Sequence, residues 1–130
     1  MQVEVRVQAV EQEQEEEEKM EFAEILKGAE SEGKEKHLPV IDVDKEQDIV
    51  HVVVGKEKPH PNTMEHRISW IEVFGVKNDG RIVCIGRGAF AAAYTSPDVH
   101  FKVPLKEFKA LCALSYCNVH GLWQNCIELV

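Results

Sequence analysis

From residue 37 onward, short apolar segments alternate with proline, glycine and asparagine, and this spacing limits the folds open to the chain. Valine and isoleucine recur at the two-residue period that is typical of β-strands. We predict strands over Asp48–Val54, Glu65–Val76, Arg81–Ile85, Ala91–Thr95, Val99–Val103, Ala110–Tyr116 and Cys126–Val130. About seven short strands with little helix indicate an all-β fold, an antiparallel β-sandwich.

The first 32 residues differ in composition from the rest. They hold eleven of the 23 acidic residues and three of the 15 basic ones, which accounts for the net charge of −8. Residues 11–18 form an acidic run that like-charge repulsion keeps solvated. The pattern predicts a strand over residues 3–7 and a short amphipathic helix near residues 20–28. We therefore divide the chain into an acidic N-terminal extension, residues 1–32, and a β-sandwich domain, residues 33–130.

Charge and hydropathy exclude several classes of partner. Residues 33–130 carry equal numbers of acidic and basic side chains, without a basic stripe, so we expect no binding to nucleic acid. No apolar run approaches the roughly 18 residues of a membrane span, and no secretory signal is expected. The four cysteines include no C-x-x-C pair, which argues against a disulfide scaffold. We predict a cytoplasmic location.

Four histidines and one cysteine stand in three motifs. His37 lies in E-K-H-x-P, His60 and His66 lie in H-P-N-T-x-x-H, and Cys117 and His120 lie in C-N-x-H-G-x-W. Loops at one end of a sandwich commonly carry functional sites, because the rigid sheets fix their ends. Imidazole nitrogen and thiolate sulfur are ligands of transition metals. The motifs therefore predict a metal site.

The remaining cysteines and histidines have ordinary explanations. Cys84, Cys112 and Cys126 lie in predicted apolar strands and are interpreted as small buried hydrophobic residues. His51 lies among valines within a predicted strand, and His100 has no motif around it. We interpret both histidines as surface or core residues.

The three motifs resemble those of the superoxide reductases, the family of neelaredoxin and of the iron-site domain of desulfoferrodoxin. The resemblance covers residues 33–130 and implies an immunoglobulin-like sandwich of about seven strands. It also implies one non-haem iron per chain, which alternates between Fe(II) and Fe(III). The implied equatorial ligands are His37, His60, His66 and His120, and the implied axial ligand is Cys117.

The resemblance implies roles for two further residues. Lys36 would attract superoxide and help to deliver protons, and Glu35 would be a sixth iron ligand in the oxidised state only. The implied reaction is the one-electron reduction of superoxide to hydrogen peroxide without release of oxygen. The implied partners are a rubredoxin-like electron donor and further copies of the chain, in a dimer or tetramer. Because no cysteine precedes Cys84, the one-iron type is indicated.

Two other classes of protein share part of this pattern. A cupredoxin electron carrier also uses cysteine and histidine on a sandwich, but it adds a weak axial methionine. The methionines here are Met1, Met20 and Met64, and none follows His120. A structural metal module would need neither a lysine beside a ligand nor an open coordination position. Metal content separates the three classes, since each requires a different ion.

Overall fold

The computed structural model describes residues 19–33 and 36–129. Seven strands form two antiparallel sheets in these residues. The strands are β1 Pro39–Asp44, β2 Ile49–Val54, β3 Ile68–Lys77, β4 Ile82–Ala89, β5 Asp98–Lys102, β6 Phe108–Cys117 and β7 Gly121–Glu128. The predicted all-β antiparallel sandwich is confirmed, and its division into three and four strands is that of an immunoglobulin-like domain.

One sheet has the strand order β1-β2-β5 and the other has the order β4-β3-β6-β7. Because successive side chains on a strand point to opposite faces, every second residue faces the partner sheet. These inward residues, together with Leu105 just before β6, form one hydrophobic core, which comprises Ile41, Val50, Val52, Val54, Ile68, Ile71, Val73, Leu105, Leu111, Ala113 and Cys117.

The chain before β1 contains little helix. Helix α1, Phe22–Ile25, is a single turn, and 3-10 turns cover Ala29–Ser31 and Leu105–Glu107. The helix predicted near residues 20–28 is present but shorter, because α1 has neither a buried residue nor a side-chain cap to stabilise it. The predicted features in the first 18 residues lie outside the described part of the chain. No helix in that part is long and apolar enough to cross a bilayer.

One predicted strand is wrong. Ala91–Thr95 forms a turn in which the backbone N–H groups of Tyr94 and Thr95 donate to the carbonyl of Ala91. Ala93 has a φ of 70°, which lies outside the extended region. Alanine side chains bury too little apolar area to favour pairing, so local hydrogen bonds decide this conformation.

The largest differences from the predicted strands are at β1 and β7. β1, Pro39–Asp44, has no predicted counterpart, although its proline suits the first residue of an edge strand, where no ladder donor is needed. β7 begins at Gly121, five residues before the predicted start, because pairing with β6 extends from Cys117 opposite Gly121. Long-range pairing therefore extends β7 through polar residues that interrupt its apolar pattern.

The outer face of the four-stranded sheet carries a disulfide between Cys112 and Cys126, which lie opposite each other on β6 and β7. The prediction that these residues and Cys84 are buried is wrong, since Cys84 and Cys126 are exposed and Cys112 is half-buried. The inward positions of β6 are occupied by Leu111 and Ala113. The cysteine between them therefore faces solvent.

Two isoleucines provide a matched test of the core. Ile71 is fully buried between the sheets, whereas Ile82 is 71% exposed on β4. We expect Ile71→Ala to lower the free energy of unfolding by about 2–5 kcal/mol, because it removes apolar contacts and leaves a cavity. Ile82→Ala should change it by less than about 0.5 kcal/mol. Denaturant unfolding of both variants measures the difference, and equal losses would contradict the described packing.

Candidate metal centre

Four imidazole rings meet at one end of the sandwich. His37 precedes β1, His60 and His66 lie between β2 and β3, and His120 lies between β6 and β7. Each ring contacts two others at near-edge orientations. The centroid distances around the set are 4.7 Å for His37–His60, 4.8 Å for His60–His66, 5.1 Å for His66–His120 and 4.8 Å for His120–His37. The four rings therefore form a closed cycle.

The thiol of Cys117 lies beside this cycle and is fully buried. Its Sγ atom is 3.6 Å from His60 Nε2 and 3.8 Å from His120 Nδ1, and the backbone N–H of His120 donates to it at 3.4 Å. His37 Nε2 lies 3.1 Å from His120 Nδ1. Two nitrogens that bind one cation at about 2.1 Å, at a right angle, are about 3.0 Å apart. These spacings therefore suit donors of one ion.

His60 is held by the compact loop that follows β2. Gly55 has a φ of 79°, and a Cβ atom there would lie 2.6 Å from the backbone nitrogen of His60, so a larger residue cannot be accommodated. His60 Nδ1 lies 2.7 Å from the carbonyl oxygen of Pro61, which assigns the ring proton to Nδ1. The lone pair of Nε2 then points toward Cys117, as in metal-binding histidines whose other nitrogen donates to a carbonyl.

The polar residues of the second motif fix the rest of this loop. Asn62 accepts a hydrogen bond from the N–H of Ala93 at 3.1 Å and donates to the carbonyl of Thr95 at 3.3 Å. The hydroxyl of Thr63 accepts from the N–H of His66 at 3.0 Å, and the Thr63 N–H donates to the His66 carbonyl at 2.9 Å. The motif therefore encodes loop geometry as well as two imidazoles.

Asn118 links the C-x-x-H turn to the residues around His66. Its side chain donates to the carbonyl of Glu65 at 2.9 Å and accepts from the N–H of Arg67 at 2.8 Å. Its own N–H donates to the Arg67 carbonyl at 3.2 Å. Three hydrogen bonds thus set the position of Cys117 relative to His66.

The backbone of His37 is held on both sides. The Glu32 carboxylate accepts hydrogen bonds from the N–H groups of His37 at 3.1 Å and of Leu38 at 2.9 Å. The buried hydroxyl of Ser115 donates to the His37 carbonyl at 3.0 Å. The indole of Trp123 stacks on the His37 ring with centroids 4.6 Å apart. Glu32 and Ser115 lie outside the three motifs, so nothing in the sequence pattern singled them out.

The donor set fits iron. Structural zinc takes four ligands, and blue copper takes two histidines, one cysteine and a weak axial group. The cluster offers five nitrogen and sulfur donors, which exceeds either requirement. Iron accepts both imidazole and thiolate ligands, so four imidazoles and one thiol suit it.

Comparison with known proteins supports the motif resemblance. The family model for desulfoferrodoxin matches residues 27–126. The chain belongs to the desulfoferrodoxin family. A superoxide reductase from Pyrococcus abyssi is 48% identical over 101 residues, which are 73% of this chain and 88% of the relative.

Solved structures of the desulfoferrodoxin family have the same fold. A superoxide reductase (neelaredoxin) from Ignicoccus hospitalis aligns with a TM-score of 0.73 and 37% identity, covering 85% of this chain and 98% of the relative. The superoxide reductase (1Fe-SOR) from Giardia intestinalis aligns with a TM-score of 0.68 and 33% identity, covering 74% and 100% respectively. The predicted family resemblance is therefore confirmed.

The structure brings together the five residues that the family motifs predict as ligands. His37 and His60 are 4% and 6% exposed and Cys117 is fully buried, whereas His66 and His120 are half-buried. Lys36, the neighbour of His37 in the chain, is exposed, and Glu35 lies outside the described residues. Their roles stay predictions.

Lys27 joins the N-terminal segment to this centre. Its backbone N–H donates to the carbonyl of Leu122 at 2.9 Å, and its carbonyl accepts from Gln124 at 2.8 Å. Its ammonium group donates to the carbonyl of His120 at 2.8 Å and lies 5.6 Å from the Trp123 ring centroid. Lys27 itself belongs to the predicted N-terminal extension. The division of the chain between residues 32 and 33 stays a prediction.

Glu32 and Glu30 form a matched pair for testing the support of His37. Glu32→Ala removes both acceptors of the His37 loop, so we expect iron affinity to fall about 10–100-fold, as for other groups that orient metal ligands. Glu30→Ala should leave affinity unchanged, because this exposed carboxylate makes no contact with the donor residues in the described structure. Anaerobic competition with a ferrous chelator measures both values. Equal affinity for the two variants would contradict this role of Glu32.

Proposed function

We propose that this chain is a superoxide reductase, which reduces superoxide by one electron to hydrogen peroxide at a single non-haem iron. The closed cycle of four imidazoles beside a buried thiol carries this proposal. We propose one iron per chain, held by His37, His60, His66, His120 and Cys117. Relatives named superoxide reductases, in the same family, support the assignment.

Held by these five residues, iron would supply the electron by passing from Fe(II) to Fe(III). Superoxide, one electron and two protons give hydrogen peroxide, so no oxygen is formed. The carbonyl of Pro61 contacts His60 Nδ1 and orients that ring. The Glu32 carboxylate accepts from the backbone N–H of His37 and holds that residue in place. Trp123, 3% exposed, stacks on the His37 ring and helps to keep water from that side of the donor set.

We propose that Lys36 attracts superoxide and helps to deliver protons. Lys36 is exposed and directly precedes the largely buried His37 in the chain, and residues 33–130, including Lys36, are neutral overall. A local cation on a neutral body raises the rate at which an anion is captured. The proposal that Glu35 is a sixth ligand in the oxidised state rests on the family motif.

The remaining partners are also proposals. The electron donor is proposed to be rubredoxin or a similar small protein, and the location to be cytoplasmic.

The outer face of the four-stranded sheet supports a homo-oligomer, either a dimer or a tetramer. There Trp70, Phe74, Leu114 and Ile82 occupy outward positions of adjacent strands, and such apolar faces are typical of interfaces.

Two cysteines provide a matched spectroscopic test of the thiolate ligand. In the oxidised, iron-loaded protein we expect Cys117→Ser to abolish the visible absorption of charge transfer from thiolate to Fe(III), because serine offers no sulfur. Cys84→Ser should keep the band, since Cys84 is exposed on β4. A band that survives in Cys117→Ser protein would remove Cys117 from the ligand set.

Two lysines test the capture of superoxide. We expect Lys36→Ala to slow the bimolecular reaction with superoxide roughly tenfold and to weaken its dependence on ionic strength, because a cation near the centre is lost. Lys106→Ala removes an exposed cation from the 3-10 turn Leu105–Glu107 and should react at the wild-type rate. Pulse radiolysis at several salt concentrations measures both rates. An unchanged rate for Lys36→Ala would refute the role of this lysine.

A further inference from the structure

Two histidines and an aspartate meet on the outer face of the three-stranded sheet. His51 of β2 lies directly opposite His100 of β5, and Asp98 lies two residues before His100 on the same face. Asp98 Oδ1 is 2.7 Å from His51 Nε2 and 3.6 Å from His100 Nδ1. One donor atom from each of the three side chains lies within 4.8 Å of the others.

We propose that His51, Asp98 and His100 form a second metal site, which binds a late first-row divalent cation such as Zn²⁺. Two imidazoles and one carboxylate are a ligand set of open zinc sites, in which water or another molecule completes the coordination. Histidine also suits copper and nickel, so the class of ion follows from the donors. The site is separate from the iron centre, because the neighbouring Val50 and Val52 face the core and His51 faces away from it.

The cation-free arrangement of the rings requires one adjustment. His51 and His100 stack with centroids 4.0 Å apart and an interplanar angle of 6°, so their in-plane lone pairs run parallel. Rotation of an imidazole about its Cβ–Cγ bond makes the lone pairs converge. This torsion has a broad energy minimum, and the His100 side chain is 60% exposed, so the rotation meets little resistance.

The neighbouring charges favour a cation and identify Asp98 as the carboxylate ligand. His51 and His100 also line an open groove of about 310 Å³ with Asp42 and Asp44, which adjoins the three donor side chains. Asp42 is paired with the Lys56 ammonium group, and Asp44 accepts hydrogen bonds from two backbone N–H groups of the following turn. Asp98 instead contacts both imidazoles.

Binding at this site would connect two strands. Within its sheet β5 pairs with β2 and lies at the edge. A cation that binds His51 on one strand and Asp98 and His100 on the other crosslinks them, and a ligand that binds the folded state selectively raises stability. Zn²⁺ should therefore raise the midpoint of thermal unfolding.

The test uses the full-length, iron-loaded protein with Cys84→Ser as background, so that an exposed thiol does not compete for zinc. Calorimetric titration with Zn²⁺ should show one site per chain. His51→Ala, His100→Ala and Asp98→Asn should each weaken binding about tenfold or more and reduce the zinc-dependent rise in thermal midpoint. Asp79→Asn, a matched change of an exposed aspartate in the β3–β4 turn, should alter neither.

The visible absorption of the iron centre is followed in the same titration. An unchanged spectrum with one zinc bound supports the proposal, whereas loss of the spectrum places zinc at the iron centre and overturns it. Absence of zinc binding to the parent protein also overturns it. So does undiminished binding by a variant that carries both His51→Ala and His100→Ala.

Discussion

The metal centre depends on the antiparallel pairing of β3 with β6. Ile68, the first residue of β3, lies at the end of the ladder with Cys117, the last residue of β6. His66 therefore reaches the centre from the segment just before β3. Cys117 reaches it from the end of β6, and His120 from the turn that follows β6. A shift of one residue would turn every side chain of a strand to the opposite face. The hydrogen bonds of Asn118 to the segment before β3 prevent such a shift at the centre itself.

Burial of the donors is the second constraint. Polar groups taken out of water need partners, since an unsatisfied one costs free energy. The loops provide such partners with the carbonyl of Pro61 and the carboxylate of Glu32, and β6 provides the hydroxyl of Ser115. The same contacts set the orientation of His37 and His60. Stability of the loops and geometry of the donors thus have a common cause.

The sequence allowed prediction of the sandwich and of the five clustered donors, because strand periodicity and short motifs are local patterns. Local periodicity failed at Ala91–Thr95, where turn hydrogen bonds outweigh apolar character. The disulfide Cys112–Cys126 and the pairing of His51 with His100 depend on strand register. Glu32 supports His37 through backbone contacts that a motif of side chains does not contain. These features required the pairing of distant segments, which appears only in three dimensions.

We expect the five donors to serve a reductase rather than a dismutase or an electron carrier. Anaerobically reduced, iron-loaded protein is mixed with superoxide, and hydrogen peroxide and oxygen are measured together. We expect one peroxide for each superoxide consumed, with oxidation of the iron and no release of oxygen. Oxygen formed alongside peroxide, or superoxide left unconsumed by the reduced protein, would contradict the assignment.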